Sequence, residues 1–210
     1  RQRQMCIRDR VEADICGTPV RFTLHMTGRH QAVNAVAVLA AVAAAGADVS
    51  AAAASLSDVR PYTGRGEVIT ASVADGEITV VDESYNANPV SMAAAIGSLG
   101  QSQSAGRKIA VLGDMLELGP TGPDLHADLA ADIDRAGLDL VFLSGPLMAG
   151  LWAKLPENVR GAHTESSDKL VQPLLTALKA GDVVMVKGSL GSKMSRIVNA
   201  LTATTSQSTS

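Results

Sequence analysis

Aromatic residues are scarce in this chain, one Trp, two Tyr and two Phe, about 2% of the residues. No basic stripe runs beside them, and the net charge is −3. A nucleic-acid surface made of stacking rings and clustered cations is therefore excluded. Cys6 and Cys16 are the only cysteines. Their spacing suits no metal and two are too few for a disulfide scaffold, so a cytoplasmic, reducing location is expected. His25, His30, His126 and His163 are dispersed, which leaves no zinc-like spacing and no expected metal centre. The longest apolar run, Ala35 to Ala47, is mostly alanine, too short and too weakly apolar to span a bilayer. No G-x-x-x-x-G-K-[ST] loop occurs, and Lys187 to Lys193 is no substitute for one. The dinucleotide fingerprint G-x-G-x-x-G and the acyl-nucleophile elbow G-x-S-x-G are missing too.

What is present is a substantial core: 46% of the 210 residues are apolar and 19% charged. That length suits one large domain, or one domain plus part of another. The basic stretch 1–10 lacks periodicity and the apolar centre of a signal peptide, and is expected to be a disordered or artificial extension. Residues 204–210 end a Ser/Thr-rich stretch expected to be disordered. Arg60 to Gly66 reads as a linker by composition, with 61–66 as its centre. Before it, Val11–Ile15 and Val20–Met26 read as a hairpin around Cys16 to Pro19. Helices follow over His30–Ala45 and Val49–Ser57, the second opened by Asp48. The first is apolar nearly all round, as a helix buried on several sides would be. So few elements cannot enclose it, and residues 11–60 read as the tail of a domain.

Residues 67–203 have a regular pattern. Glu67–Val73 and Glu77–Val81 flank the hairpin signal Asp75-Gly76. Short apolar runs recur at Ile78–Val81, Ile109–Leu112, Leu140–Leu143 and Val183–Val186. Helical stretches over Val90–Leu99, Leu125–Ala136, Pro146–Lys154 and Asp168–Lys179 alternate with them, and another covers Ser192–Leu201. The expected fold is α/β, a doubly wound Rossmann-like domain whose parallel sheet carries an antiparallel edge strand.

The strand ends carry the chemistry. Asp82-Glu83-Ser84-Tyr85-Asn86-Ala87-Asn88-Pro89 follows the first parallel strand. Gly113-Asp114, Ser144-Gly145 and Lys187-Gly188-Ser189 follow others. Parallel strands put such residues along one edge, where open α/β sheets bind ligands. Helix capping accounts for Asn88 and Pro89 alone, but not for Asp82, Glu83, Tyr85 and Asn86 together.

Several segments together resemble the Mur ligases of peptidoglycan synthesis: Gly28 to Ala35, Gly64-Arg65-Gly66, Asp82 to Met92, Val111 to Gly119, His126 and Val186 to Ser189. The resemblance runs from about Val11 to Ala203, with Ser84-Tyr85-Asn86-Ala87-Asn88-Pro89 and Gly113 to Gly119 most similar to the branch that adds a dipeptide. It implies that 11–60 is the C-terminal part of a central ATP-binding domain and 67–203 a Rossmann-like C-terminal ligase domain. It implies ATP as co-substrate, Mg²⁺ held mostly by residues outside this chain, and UDP-N-acetylmuramoyl-tripeptide and D-alanyl-D-alanine as substrates. An acyl phosphate would form on the tripeptide and an amine would then attack it. Without a P-loop this chain alone is expected to be inactive. No nucleic-acid or membrane partner is expected, and a monomer is expected.

By the same resemblance, His30 and Asn34 border the adenine; without the resemblance, hydrogen bonding at a helix terminus is the favoured reading. Arg65 reaches the ATP phosphates and is the one candidate catalytic residue; a linker arginine is otherwise solvated. Glu83, Tyr85, Asn86 and Asn88 contact the nucleotide. Asp114, Glu117, His126, Lys187 and Ser189 face the substrate: Lys187 and Ser189 suit a carboxylate, and Asp114 or Glu117 an ammonium. For His126 the competing reading is a solvated helix start among Asp124, Asp128 and Asp132. A free-standing α/β module that binds a nucleotide or amino acid without catalysis remains the alternative. A dinucleotide oxidoreductase is disfavoured by the missing glycine fingerprint.

Overall fold

The computed structural model describes residues 9–25, 29–59, 62–103 and 106–203. The chain divides between Tyr62 and Thr63 into two compact units. Residues 1–8 and 204–210, most of the expected extension and all of the expected tail, lie outside the described residues.

In the first unit β1 (Asp9–Ile15) pairs antiparallel with β2 (Thr18–Leu24), Ile15 opposite Thr18. Cys16 and Gly17 make the two-residue turn with φ of 53° and 86°, the left-handed pair that matches the twist of a tight hairpin. α1 (Arg29–Ala44) and α2 (Val49–Leu56) follow. Asp48 caps α2, its Oδ1 accepting the N–H groups of Ser50 at 2.8 Å and Ala51 at 3.0 Å. Val11, Ile15, Val20, Phe22 and Leu24 pack with Leu39 and Ala53. α1 is not buried on several sides within this unit: Val33 and Val38 are 56% and 53% exposed. The hairpin and α2 cover only the face that carries Ala35 and Leu39.

The second unit runs β3 (Glu67–Val73), β4 (Gly76–Glu83), α3 (Pro89–Gln101), β5 (Lys108–Gly113), α4 (Gly122–Ala136) and β6 (Leu140–Ser144). It continues through α5 (Ala149–Lys154), β7 (Arg160–Thr164), α6 (Ser167–Ala177), β8 (Val183–Lys187) and α7 (Ser195–Ala203). The six strands lie in the order β3-β4-β8-β5-β6-β7, and only β3 is antiparallel. This is the doubly wound sheet expected from the alternating runs. Three successive crossovers step toward β7, and the last returns to insert β8 between β4 and β5. With right-handed crossovers, reversing direction moves the helices to the other face. Accordingly Met92, Ile96, Leu129, Ile133 and Leu151 of α3, α4 and α5 share one core, and Leu170, Leu174, Ile197 and Leu201 of α6 and α7 share the other.

Three local details differ from expectation. β7, Arg-Gly-Ala-His-Thr, has no apolar run, because an edge strand needs little. Its Gly161 leaves room for the Phe142 ring, 2.6 Å from where a Cβ would stand. A 3₁₀ turn over Pro146–Met148 shortens α5. Another over Leu190–Ser192, ended by Lys193 at φ 54°, delays α7 to Ser195.

Candidate functional site at the strand ends

Register aligns the polar residues. Glu83 stands beside Lys187, Lys187 beside Leu112, and Gly113 beside Ser144. Four neighbouring strands thus end at one level, each passing into a loop.

The loop after β4 is fixed from two directions. Gly66 N–H donates to Asp82 O at 2.8 Å and Tyr85 N–H to Gly64 O at 3.1 Å, which lays Gly64-Arg65-Gly66 along the strand end. Gly64 has φ +80°, and a Cβ on it would stand 2.9 Å from the Cβ of Tyr85, so this approach requires glycine. The result puts the Arg65 guanidinium over the Tyr85 ring, 4.4 Å from its centroid. Stacking uses the cation's face and leaves its in-plane N–H fork free. Arg65 is exposed and forms no ion pair among the described residues. Beyond Tyr85, Asn88 and Ser91 form a reciprocal capping box, with Asn88 Oδ1 accepting Ser91 N–H at 2.8 Å and Ser91 Oγ accepting Asn88 N–H at 3.0 Å. The Asn88 oxygen is thus committed to opening α3. Asn86 is exposed, its Oδ1 accepting the N–H of Ala87 at 2.9 Å.

Glu83 is held from the side by β8. Lys187 Nζ lies 3.3 Å from Glu83 Oε2 and donates to Asn86 O at 3.0 Å, with the lysine side chain 4% exposed and the glutamate 15%. Ser189 N–H donates to Asp114 O at 3.0 Å. Its Oγ accepts Leu116 N–H at 2.9 Å and points its proton at Ala87 O, 3.4 Å away.

Asp114 is buried, and its Oδ1 has no hydrogen-bond partner. Burial pushes its carboxyl above the usual range. The backbone N–H groups of Leu147 and Met148, with His126 and His163, pull it partly back. Gly145, at φ +112°, lies directly against it: a Cβ there would stand 2.3 Å from the carboxylate carbon. Asp114 lines a cavity of about 290 Å³ together with Ser144, Ser167, Ser192, Lys193 and Arg196. Ser144 was placed on this edge by its position at a strand end, whereas nothing local marked Ser167, Ser192, Lys193 or Arg196 for the site.

Glu117 is exposed, at φ 65°, in the same loop. A left-handed glutamate costs backbone energy, as residues at functional turns often do. His126 is fully buried, not at a solvated helix start. Its Nδ1 bonds Gly122 O at 2.6 Å and its Nε2 accepts Met115 N–H at 2.8 Å. That pattern assigns the proton to Nδ1 and leaves neither nitrogen for a ligand, so His126 acts on the edge by holding the loop. Helix α4 starts three residues before the expected Leu125, which brings the carbonyl of Gly122 under the ring.

Lys187, Glu83, Tyr85, Asn86, Asn88, Arg65, Asp114, Glu117 and Ser189 therefore gather along one edge of the second unit. Asn34 belongs to the first unit, exposed on α1 one turn beyond His30, whose side chain lies outside the described residues. Among the described residues no group of three or more His, Cys, Asp or Glu could hold a metal ion. None of the described helices is long and apolar enough to cross a membrane.

Comparison with known proteins agrees with this architecture. The family profile described as Mur ligase, glutamate ligase domain, matches residues 64–190. The chain is 34% identical over 190 residues to the UDP-N-acetylmuramoyl-tripeptide–D-alanyl-D-alanine ligase of Bacillus subtilis (strain 168), across 89% of this chain and 41% of that protein. The crystal structure of MurF ligase from Thermotoga maritima in complex with ADP superposes with a TM-score of 0.75 at 23% identity, over 94% of this chain and 44% of that one. A crystal structure of MurF from Acinetobacter baumannii gives 0.72 at 26% identity, over 87% of this chain and 40% of that one. The chain thus spans about two fifths of the length of the curated relatives it matches.

Proposed function

The chain belongs to the Mur ligase family, and from that membership we propose that it forms part of an ATP-dependent ligase joining D-alanyl-D-alanine to UDP-N-acetylmuramoyl-tripeptide. In this reading residues 67–203 are the C-terminal domain, 61–66 the linker and 11–60 the end of the ATP-binding domain. The observation that carries it is the alignment of Glu83, Lys187 and Asp114 at one level of a parallel sheet.

Bound ATP would supply the phosphoryl group that activates the tripeptide carboxylate. Arg65, its face on Tyr85 and its N–H fork open, offers paired donors to phosphate oxygens. Glu83, steadied by Lys187, offers an acceptor to ribose hydroxyls. Asn86 and Tyr85 border that position, while Asn88 shapes it through the helix cap. On the other side of β8, the unpartnered Asp114 oxygen and exposed Glu117 suit the dipeptide's ammonium. The raised proton affinity of Asp114 also suits it to take a proton from that ammonium, which must be shed before the amine can attack. No step is assigned to a metal on this chain.

In the gene product that carries this chain, Glu83→Ala raises the KM for ATP, read by ADP release in the complete ligation assay. An unchanged KM removes Glu83 from the nucleotide site. The 210-residue chain alone gives no ligation, since its sequence holds no G-x-x-x-x-G-K-[ST] loop to cradle the phosphates. Turnover by the isolated chain contradicts this.

A further inference from the structure

Two polar residues at the end of β8 are buried more deeply than a substrate ligand needs to be. The Lys187 side chain is 4% exposed and Ser189 is 7% exposed. A buried ammonium is costly unless its charge and protons are matched. Here the matching is internal: Glu83 Oε2 at 3.3 Å and Asn86 O at 3.0 Å. These bonds take two of the three ammonium protons, and a substrate carboxylate would have to reach the third on a side chain only 4% exposed and share the charge with Glu83. Ser189 is equally committed, its Oγ between Leu116 N–H at 2.9 Å and Ala87 O at 3.4 Å, its N–H on Asp114 O at 3.0 Å.

These bonds go to two different loops. Lys187 holds the loop after β4, through Glu83 and Asn86. Ser189 holds the loop after β5, through Asp114 and Leu116, and touches the first loop at Ala87. Because β8 lies between β4 and β5, its end is the one strand terminus placed to join both. The Ser189 carbonyl is tied in turn to Ser192, whose N–H donates at 2.9 Å and whose Oγ donates at 2.6 Å. The third loop, which lines the Asp114 cavity, is thereby anchored to the same point.

We infer that Lys187 and Ser189 are positioning residues: Lys187 sets the Glu83 carboxylate and the 84–88 loop for the nucleotide, and Ser189 fixes the Asp114–Leu116 segment against that loop. Neither is a direct ligand for the carboxylate of the incoming dipeptide. This rests on the proposed ligase reading for what the loops bind, but not for the bonds that hold them.

The test has two arms. In the isolated chain, amide hydrogen exchange is followed by NMR. Ser189→Ala speeds exchange of the Leu116 amide at least tenfold, and Lys187→Met does the same for the amides of residues 84–87, with α6 unaffected. Exchange within twofold of wild type in both variants overturns the inference. In the gene product that carries this chain, Lys187→Met raises the ATP KM at least fivefold and leaves the D-alanyl-D-alanine KM within twofold. Lys187→Arg, which keeps the cation, restores most of the loss. Glu83→Gln reproduces the ATP effect, and the double variant is no worse than the worse single one. A rise in the dipeptide KM with the ATP KM unchanged assigns Lys187 to the substrate and overturns the inference. If Lys187→Met does not fold, Glu83→Gln and Lys187→Arg decide the kinetic arm and Ser189→Ala the exchange arm. A wild-type protein with no ligation defeats the proposed function instead, and exchange still decides the positioning.

Discussion

Replacing Asp114 by Asn should stabilise the second unit at neutral pH. The carboxylate is buried, and one of its oxygens has no partner. Burial raises its pKa in the folded chain, the neighbouring N–H groups and histidines offsetting only part of this. A raised carboxyl pKa means the fold prefers the protonated acid. The associated stability is therefore fully present below the unfolded value, near 3.9, and is lost as pH rises through the folded value. At pH 7 the wild type bears that penalty, and a neutral, near-isosteric amide does not. An unmatched neutral polar atom, which the amide keeps, costs about 1–3 kcal/mol, and an unmatched charge costs more; the difference is the expected gain. The cavity beside Asp114 admits some solvation, so a gain of about 1 kcal/mol is expected, or about 2–4 °C in Tm for a unit of this size. Thermal unfolding of both proteins at pH 7 and at pH 4 reads it. The gain should shrink at pH 4, where the wild-type acid takes up its proton. A loss of stability at pH 7, or a difference independent of pH, would refute the reasoning. The same substitution should weaken D-alanyl-D-alanine binding, since a site holding an unmatched charge gives up stability for its ligand.

Other perturbations probe the same edge. Gly145→Ala would place a Cβ 2.3 Å from the Asp114 carboxylate carbon at φ +112°, and should cost about 2–3 kcal/mol in urea unfolding; a cost below about 0.5 kcal/mol would mean the turn adapts freely. Asn88→Ala removes one half of the capping box and should cost about 1 kcal/mol, whereas Asn88→Asp should retain most of that stability. Gly161→Ala drives a methyl toward the Phe142 ring and should cost about 1–3 kcal/mol, relieved in part by Phe142→Leu.

How much of this was legible in the sequence depends on whether each signal was local. The hairpin at Cys16-Gly17, the caps at Asp48 and Asn88, and the apolar runs of β5, β6 and β8 are written in neighbouring residues, and they appear within a few positions of where they were expected. β7 was illegible because Arg160 to Thr164 lies at the sheet edge, where apolar side chains are not required. The insertion of β8 between β4 and β5 was illegible too, since no residue in Val183–Lys187 names its neighbours. The loss is largest at the site. Sequence put Lys187 and Ser189 on the right edge, but it did not disclose that both are buried and bonded to two loops. That follows from strand order, which sets them between Glu83 and Asp114. For His126 the competing reading, a solvated helix start among aspartates, fails because Leu129 and Ile133 pull that face of α4 into the core.

ATP-dependent ligation by the gene product that carries this chain is the most direct measurement. Incubated with ATP, UDP-N-acetylmuramoyl-tripeptide and D-alanyl-D-alanine, it should release ADP in step with the dipeptide-extended product, with Asp114→Asn raising the dipeptide KM and Glu83→Ala the ATP KM. If ADP release does not require the dipeptide, or if both substitutions leave both constants unchanged, the shared edge is not where these substrates meet.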